Sequence, residues 1–256
     1  MEIQLLGAVL KVPRPDLAAR YLETCLSVQA FPTAAGFTLP CPGCNVILES
    51  VKAHAPFQTG PEGYYTGLCH LAFRSADLQK TIWHCEAAGI PLVGGSRISY
   101  NPLVWGTGMT YINPECDFGF GMEFCTRLDL SDTPSECAME HIGIPTPKLP
   151  ESIAWYQSLG FSIGTSSTIH RESDGAVILN AMMEGYGTIL ELYEFAGIDH
   201  EPFVDQPFAC LRFAFSGEET EKALMGLGAE AAGSGTLVLT APGGEKLEFV
   251  KGMNAS

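Results

Sequence analysis

Four times along this chain a glutamate stands just inside the end of a short apolar run: Glu49 in VILES, Glu123 in GMEF, Glu191 in ILELY and Glu248 in KLEF. A charge recurring at one place in a strand-like segment marks an internal repeat, and a repeat fixes the architecture before any single element does. Each glutamate closes a unit that opens on a strand, at Ile3–Val12, Leu68–Arg74, Met139–Pro145 and Ala209–Phe215. An amphipathic helix follows each opening strand. In the second unit Asp77 caps it, Leu78, Ile82 and the apolar part of Trp83 form its buried side, and Gly89 stops it. The third starts at Pro150, sets Ile153 and Tyr156 on one face and ends at Gly160. The first runs from Asp16 to Leu26, and the fourth from Glu218 to Leu227, before Gly228. The β-type residues that follow, punctuated by Gly, Pro and Ser, leave room for three short strands, the last bearing the glutamate.

The unit is therefore strand, helix, three strands, and four copies of about 60 residues account for nearly all of the 256 positions. The expected class is α+β, with four tandem βαβββ units pairing into two cup-shaped sheets. One unit leaves an open concave face, and a second closes it into a cup able to take a ligand. The units fall at 1–60, 64–130, 136–200 and 205–256, giving two domain-sized halves, 1–130 and 136–256.

Acidic residues outnumber basic ones by 29 to 14, and no basic stripe occurs, so nucleic acid is not an expected partner. No stretch reaches about eighteen continuous apolar residues. The N-terminal MEIQLLGAVLKVP offers neither a basic leader nor a cleavage site. A cytoplasmic protein without a membrane contact is the expectation, as monomer or homodimer. Nine cysteines scattered through apolar runs and helices read as reduced thiols, and the Cys41–Cys44 CPGC as a tight turn.

Strand alternation says where side chains point. Leu71 and Phe73 should pack on the helix, leaving His70, Ala72 and Arg74 toward the cup. Ile142 and Ile144 face the helix, and His141 the cup. Glu123 and Glu191 face the cup between apolar neighbours. A carboxylate there is costly unless paired or coordinating a metal. His84 reads as a surface residue. His54, His170 and His200 read as loop residues. The Tyr100–Trp105 stretch suits either a loop over the cup or packing.

The arrangement resembles the vicinal oxygen chelate superfamily, which includes glyoxalase I, methylmalonyl-CoA epimerase, extradiol dioxygenases and bleomycin resistance proteins. The segments that carry the likeness are HLAFRSADLQKTIWHCEAAGIPL, HIGIPTPKLPESIAWYQSLGFSI and TAPGGEKLEF. In metal-binding members the ligands come from the first and last strands of two units. Carried over by position, the first-strand sites are Leu6, His70, His141 and Cys210, and the last-strand sites are Glu49, Glu123, Glu191 and Glu248. If the inner units pair, His70, Glu123, His141 and Glu191 form a two-His, two-Glu set, and the outer units form a degenerate cup. If the units pair in chain order, each cup is incomplete. The inner pairing is preferred, because both histidines lie in the inner units and because fused glyoxalases pair that way. Such a donor set suits a divalent transition metal such as Zn, Ni, Co, Fe or Mn.

The resemblance then implies a metal-dependent lyase or isomerase acting on a small oxygen-rich substrate through an enediolate, with Glu191 or Glu123 as the catalytic base. Two alternatives are a metal-free protein that sequesters a small molecule, as bleomycin resistance proteins do, and a ring-cleaving dioxygenase.

Overall fold

The computed structural model describes residues 2–52, 65–118, 120–128, 137–171, 175–199, 201–202 and 208–252. Four helices, Pro15–Leu26, Leu78–Ala87, Leu149–Ser158 and Glu218–Gly226, each follow an opening strand, as the repeat requires. Asp77 caps the second helix by accepting hydrogen bonds from the backbone N–H groups of Gln79 and Lys80, at 3.0 and 3.2 Å. Gly160, just past the third helix, takes a φ of +101° that residues with a Cβ rarely adopt, and so ends it.

The strands form two eight-stranded sheets plus a short pair, Tyr65–Thr66 with Glu201–Pro202. The inner sheet joins units two and three. Across it run Ser162–Arg171, Ala176–Gly185, Thr188–Phe195, Met139–Pro145, His70–Arg74, Gly121–Arg127, Met109–Ile112 and Ser99–Asn101. The outer sheet joins units four and one in the same way, with Phe208–Ser216 beside Glu2–Val12 at its centre. Each sheet thus draws one unit from 1–130 and one from 136–256. The inner pairing expected from the histidines is the pairing found.

In both sheets the two opening strands run antiparallel to each other. Each has its own unit's closing strand parallel on its other side. That topology puts the histidine-bearing and glutamate-bearing strands of two units side by side. One core takes in residues of both sheets and all four helices, among them Leu22, Leu71, Phe73, Ile82, Ile142, Tyr156, Phe213 and Leu224. A smaller cluster of Ala72, Val104, Met109, Cys125 and Met182, packed by Trp105, Tyr111, Ile169 and Ile189, lies on the other face of the inner sheet. Ala72 falls there while Leu71 and Phe73 fall in the main core, as alternation requires.

Trp83 corrects the expected helix face, being 60% exposed. Leu78, Ile82 and Cys85 already fill the buried stripe, and Trp83 lies about 100° round the helix from Ile82. His170 lies in the strand Ser162–Arg171, not in a loop. Its Ser- and Thr-rich sequence hides the alternation that marks a strand. His54 and His200 lie outside the described residues. Cys41 and Cys44 are buried free thiols flanking a turn.

Candidate metal centre

Two adjacent cross-strand rows build the site. In one, Glu123, Ala72 and His141 stand side by side on three strands; in the other, Glu191, Gly143 and His70. Each row takes its glutamate and small residue from one unit and its histidine from the other, so the site exists only when units two and three pair.

The ring nitrogens Nε2 of His70 and His141 face each other at 3.2 Å. Oε2 of Glu191 lies 3.4 Å from the first and 3.3 Å from the second. Oε1 of Glu123 lies 3.9 Å from Nε2 of His141. Metal–nitrogen bonds of about 2.1 Å place neighbouring donors roughly 3.0 Å apart in an octahedral shell and about 3.4 Å apart in a tetrahedral one. The three shortest separations therefore match the edges of one coordination shell. Ligand atoms of His70, His141 and Glu191 lie mutually within 4.8 Å, while Glu123 forms a second such group with His141 and Cys125.

Burial and charge set the protonation. Glu123 is 8% exposed, and its buried Oε1 has no hydrogen-bond partner. Burial raises its pKa, opposed by the charges of His141 and His70. For Glu191 burial acts in the same upward sense, but the charge and hydrogen bonds of His141 and His70 outweigh it and keep the carboxylate ionised. Burial disfavours a charged His70, yet hydrogen bonds to Cys69 and Glu191 push its pKa up to about 10. His141 is likewise raised despite burial, by Glu191 and Glu140. An orphaned carboxylate oxygen beside two imidazoles and a second carboxylate is the environment a divalent cation would satisfy.

Three further contributors escaped the sequence reading. Glu140, 1% exposed, accepts a hydrogen bond from Nδ1–H of His141 at 2.5 Å, which leaves Nε2 to face the other ligands. Its other oxygen meets the Arg127 guanidinium at 3.5 Å, and that group stacks 3.7 Å over the Trp105 ring. Asn180 donates from Nδ2 to Oε1 of Glu191 at 2.6 Å. Alternation would send Glu140 to the helix side, but a register shift between Met139 and His141 breaks it there. The only signal in the sequence was a glutamate next to a candidate ligand. Replacing Glu140 with Gln should weaken metal binding about 10–100-fold, measured by competition titration, with little loss of secondary structure.

No protein-family profile matches the chain, and no curated protein matches it by sequence. Solved structures match it in shape. Glyoxalase I from Zea mays superposes with a TM-score of 0.70 at 17% identity, covering 97% of this chain and 92% of that one. The V278E variant of the maize enzyme gives 0.70 at 18% identity over the same shares. A candidate dioxygenase from Bacillus subtilis gives 0.62 at 8% identity, over 98% and 85%. The chain has the vicinal oxygen chelate fold. Identities this low carry the fold alone, so the chemistry rests on the site's own residues.

The second vicinal oxygen chelate cup, in the outer sheet, holds a different solution. Register corrects the expected Leu6: Lys11 pairs with Glu49 as Ala72 pairs with Glu123, so the buried, apolar Val9 takes the place in unit one that His70 takes in unit two. Arg212 reaches Oε1 of Glu49 at 2.8 Å through Nη1, and Oε2 of Glu248 at 2.8 Å through both Nε and Nη2. A guanidinium thus supplies between these two glutamates the positive charge an ion would bring. Cys210 is a buried thiol whose pKa burial pushes up, which disfavours the thiolate a metal requires. Substituting Arg212 with Met should cost about 1–3 kcal/mol in denaturant unfolding by leaving two carboxylates face to face. Metal binding at the inner site should not change.

Proposed function

We propose that the protein is a metal-dependent lyase or isomerase of the glyoxalase type acting on a small oxygen-rich substrate. The observation that supports this reading is the convergence of two imidazole nitrogens and two carboxylates from paired units at 3.2–3.9 Å. His70, Glu123, His141 and Glu191 would hold a divalent transition metal such as Zn, Ni, Co, Fe or Mn. When bound, it would supply Lewis acidity toward vicinal substrate oxygens.

The chain's own residues divide the remaining work. Both oxygens of Glu191 are engaged, by Asn180 and by the two histidines. Glu123 is the more loosely held, with one oxygen orphaned, and is the better candidate to take a proton from substrate carbon and return it. Met109, Met182, Val104 and Ile189 line this side of the sheet with apolar surface, which favours exclusion of water from a carbon acid. The test is deuterium incorporation from D2O into small 2-hydroxycarbonyl compounds by metal-loaded protein. Glu123→Gln should lower the exchange rate by about 10²–10⁴-fold. Undiminished exchange in that variant, or none in the wild type, would count against the proposal.

One observation favours a second reading. His70, His141 and Glu191 are tighter, at 3.2–3.4 Å, than the contact of Glu123 at 3.9 Å. Two histidines and one carboxylate with open positions suit a ring-cleaving dioxygenase. Oxygen consumption with aromatic vicinal diols by iron-loaded protein, surviving in Glu123→Gln, would select it.

A further inference from the structure

The two rows of the site are related by the repeat but differ at one position. In the first, Ala72 stands between Glu123 and His141; in the second, Gly143 stands between Glu191 and His70, and Gly121 flanks His70 on its other side. We infer that Gly143 is a positioning residue for His70, its missing side chain forming the slot in which the imidazole lies.

A Cβ at position 143 would fall 1.9 Å from Cε1 of His70, 2.2 Å from Nδ1 and 2.5 Å from Nε2. The ring thus lies flat across the backbone of Gly143 and from there reaches His141 and Glu191. Gly121 clears the base of the same side chain, since a Cβ there would meet Cβ of His70 at 2.8 Å. Backbone conformation does not explain Gly143, which is absent from the positive-φ glycines and sits in regular register on both sides. Glycine inside a strand weakens it, so its presence needs a reason of this kind. His141 needs no such slot: it stands opposite Ala72, whose Cβ it tolerates.

This inference rests on the metal reading, and its test separates the two. Gly143→Ala should fold, because the clashing atoms belong to the end of one side chain that can swing away. Its metal affinity should fall about 10–100-fold or more. Ala72→Gly, the mirror change, should stay within about threefold of wild type, well short of the 10–100-fold loss expected when a ligand's support is removed. Independently of metal, the His70 imidazole resonance in metal-free protein should move in Gly143→Ala and stay put in Ala72→Gly. Wild-type protein that takes up no metal would defeat the metal reading and leave the resonance to decide the slot. An unmoved His70 resonance in Gly143→Ala, or an Ala72→Gly variant that loses metal as strongly as Gly143→Ala, would overturn the inference.

Discussion

Alanine at position 141 is expected to remove the metal and a large part of the fold's stability together. His141 is fully buried at the centre of the inner sheet. Its Nε2 lies within 3.2–3.9 Å of His70, Glu191 and Glu123, and its Nδ1 binds Glu140 at 2.5 Å. Without the ring, three carboxylates lose the neighbour that balances them. Breaking a buried charge pair from one side costs about 3–5 kcal/mol. Loss of metal affinity should exceed the roughly 10–100-fold typical of a ligand's supporting contact. His70 is more exposed and meets fewer carboxylates, so His70→Ala should match the metal loss at a smaller cost in stability. Denaturant unfolding with and without metal measures both effects. A His141→Ala protein as stable as wild type would contradict this electrostatic account.

Glutamine at position 245 is expected to stabilise the protein at neutral and alkaline pH and to change little in acid. Glu245 sits in the turn before the last strand of the outer sheet and is 2% exposed. It accepts a hydrogen bond from the Tyr156 hydroxyl at 2.6 Å, and Tyr156 belongs to a helix of unit three, so the contact joins the two sheets. Its other oxygen is buried without a partner. Burial, opposed by the Tyr156 hydrogen bond, raises its pKa from 4.5 to about 7. Below 4.5 the group is protonated folded or unfolded, and its full contribution to stability is present. As pH rises, the unfolded chain ionises first, and stability falls until the folded group also ionises near pH 7. The total loss is about 3 kcal/mol. Urea unfolding of wild type and Glu245→Gln should therefore diverge between pH 4.5 and 7 and stay apart above it. Curves that run parallel across that range would refute the prediction.

The fold was legible because the repeat writes its strand openings and closing glutamates four times and its glycine helix stop three times. Strand openings, helix stops at Gly89, Gly160 and Gly228, and closing glutamates all recur at matched positions. The placement of the four candidate residues was legible for the same reason, since alternation put His70, His141, Glu123 and Glu191 on one face. What alternation could not show was anything set by contact between strands far apart in sequence. Arg212 bridging Glu49 and Glu248 depends on the first and last units meeting. Glu140 depends on a local register shift that reverses its expected face. Trp83 was misplaced because three neighbours had already filled the buried stripe of its helix.

Among the described residues no helix is long and apolar enough to cross a membrane. The central claim concerns the inner cup, and metal content tests it most directly. Full-length protein equilibrated with Zn, Ni, Co, Fe and Mn salts, then freed of loose ions and analysed for metal, should carry about one ion per chain, as a single shared coordination shell requires. Arg212→Met should carry the same, and His141→Ala none. Uptake should weaken as pH falls, because protons on His70 and His141 compete with the ion. No ion in the wild type would contradict the account and leave a metal-free binding protein in its place; an ion retained by His141→Ala would show that the metal lies elsewhere.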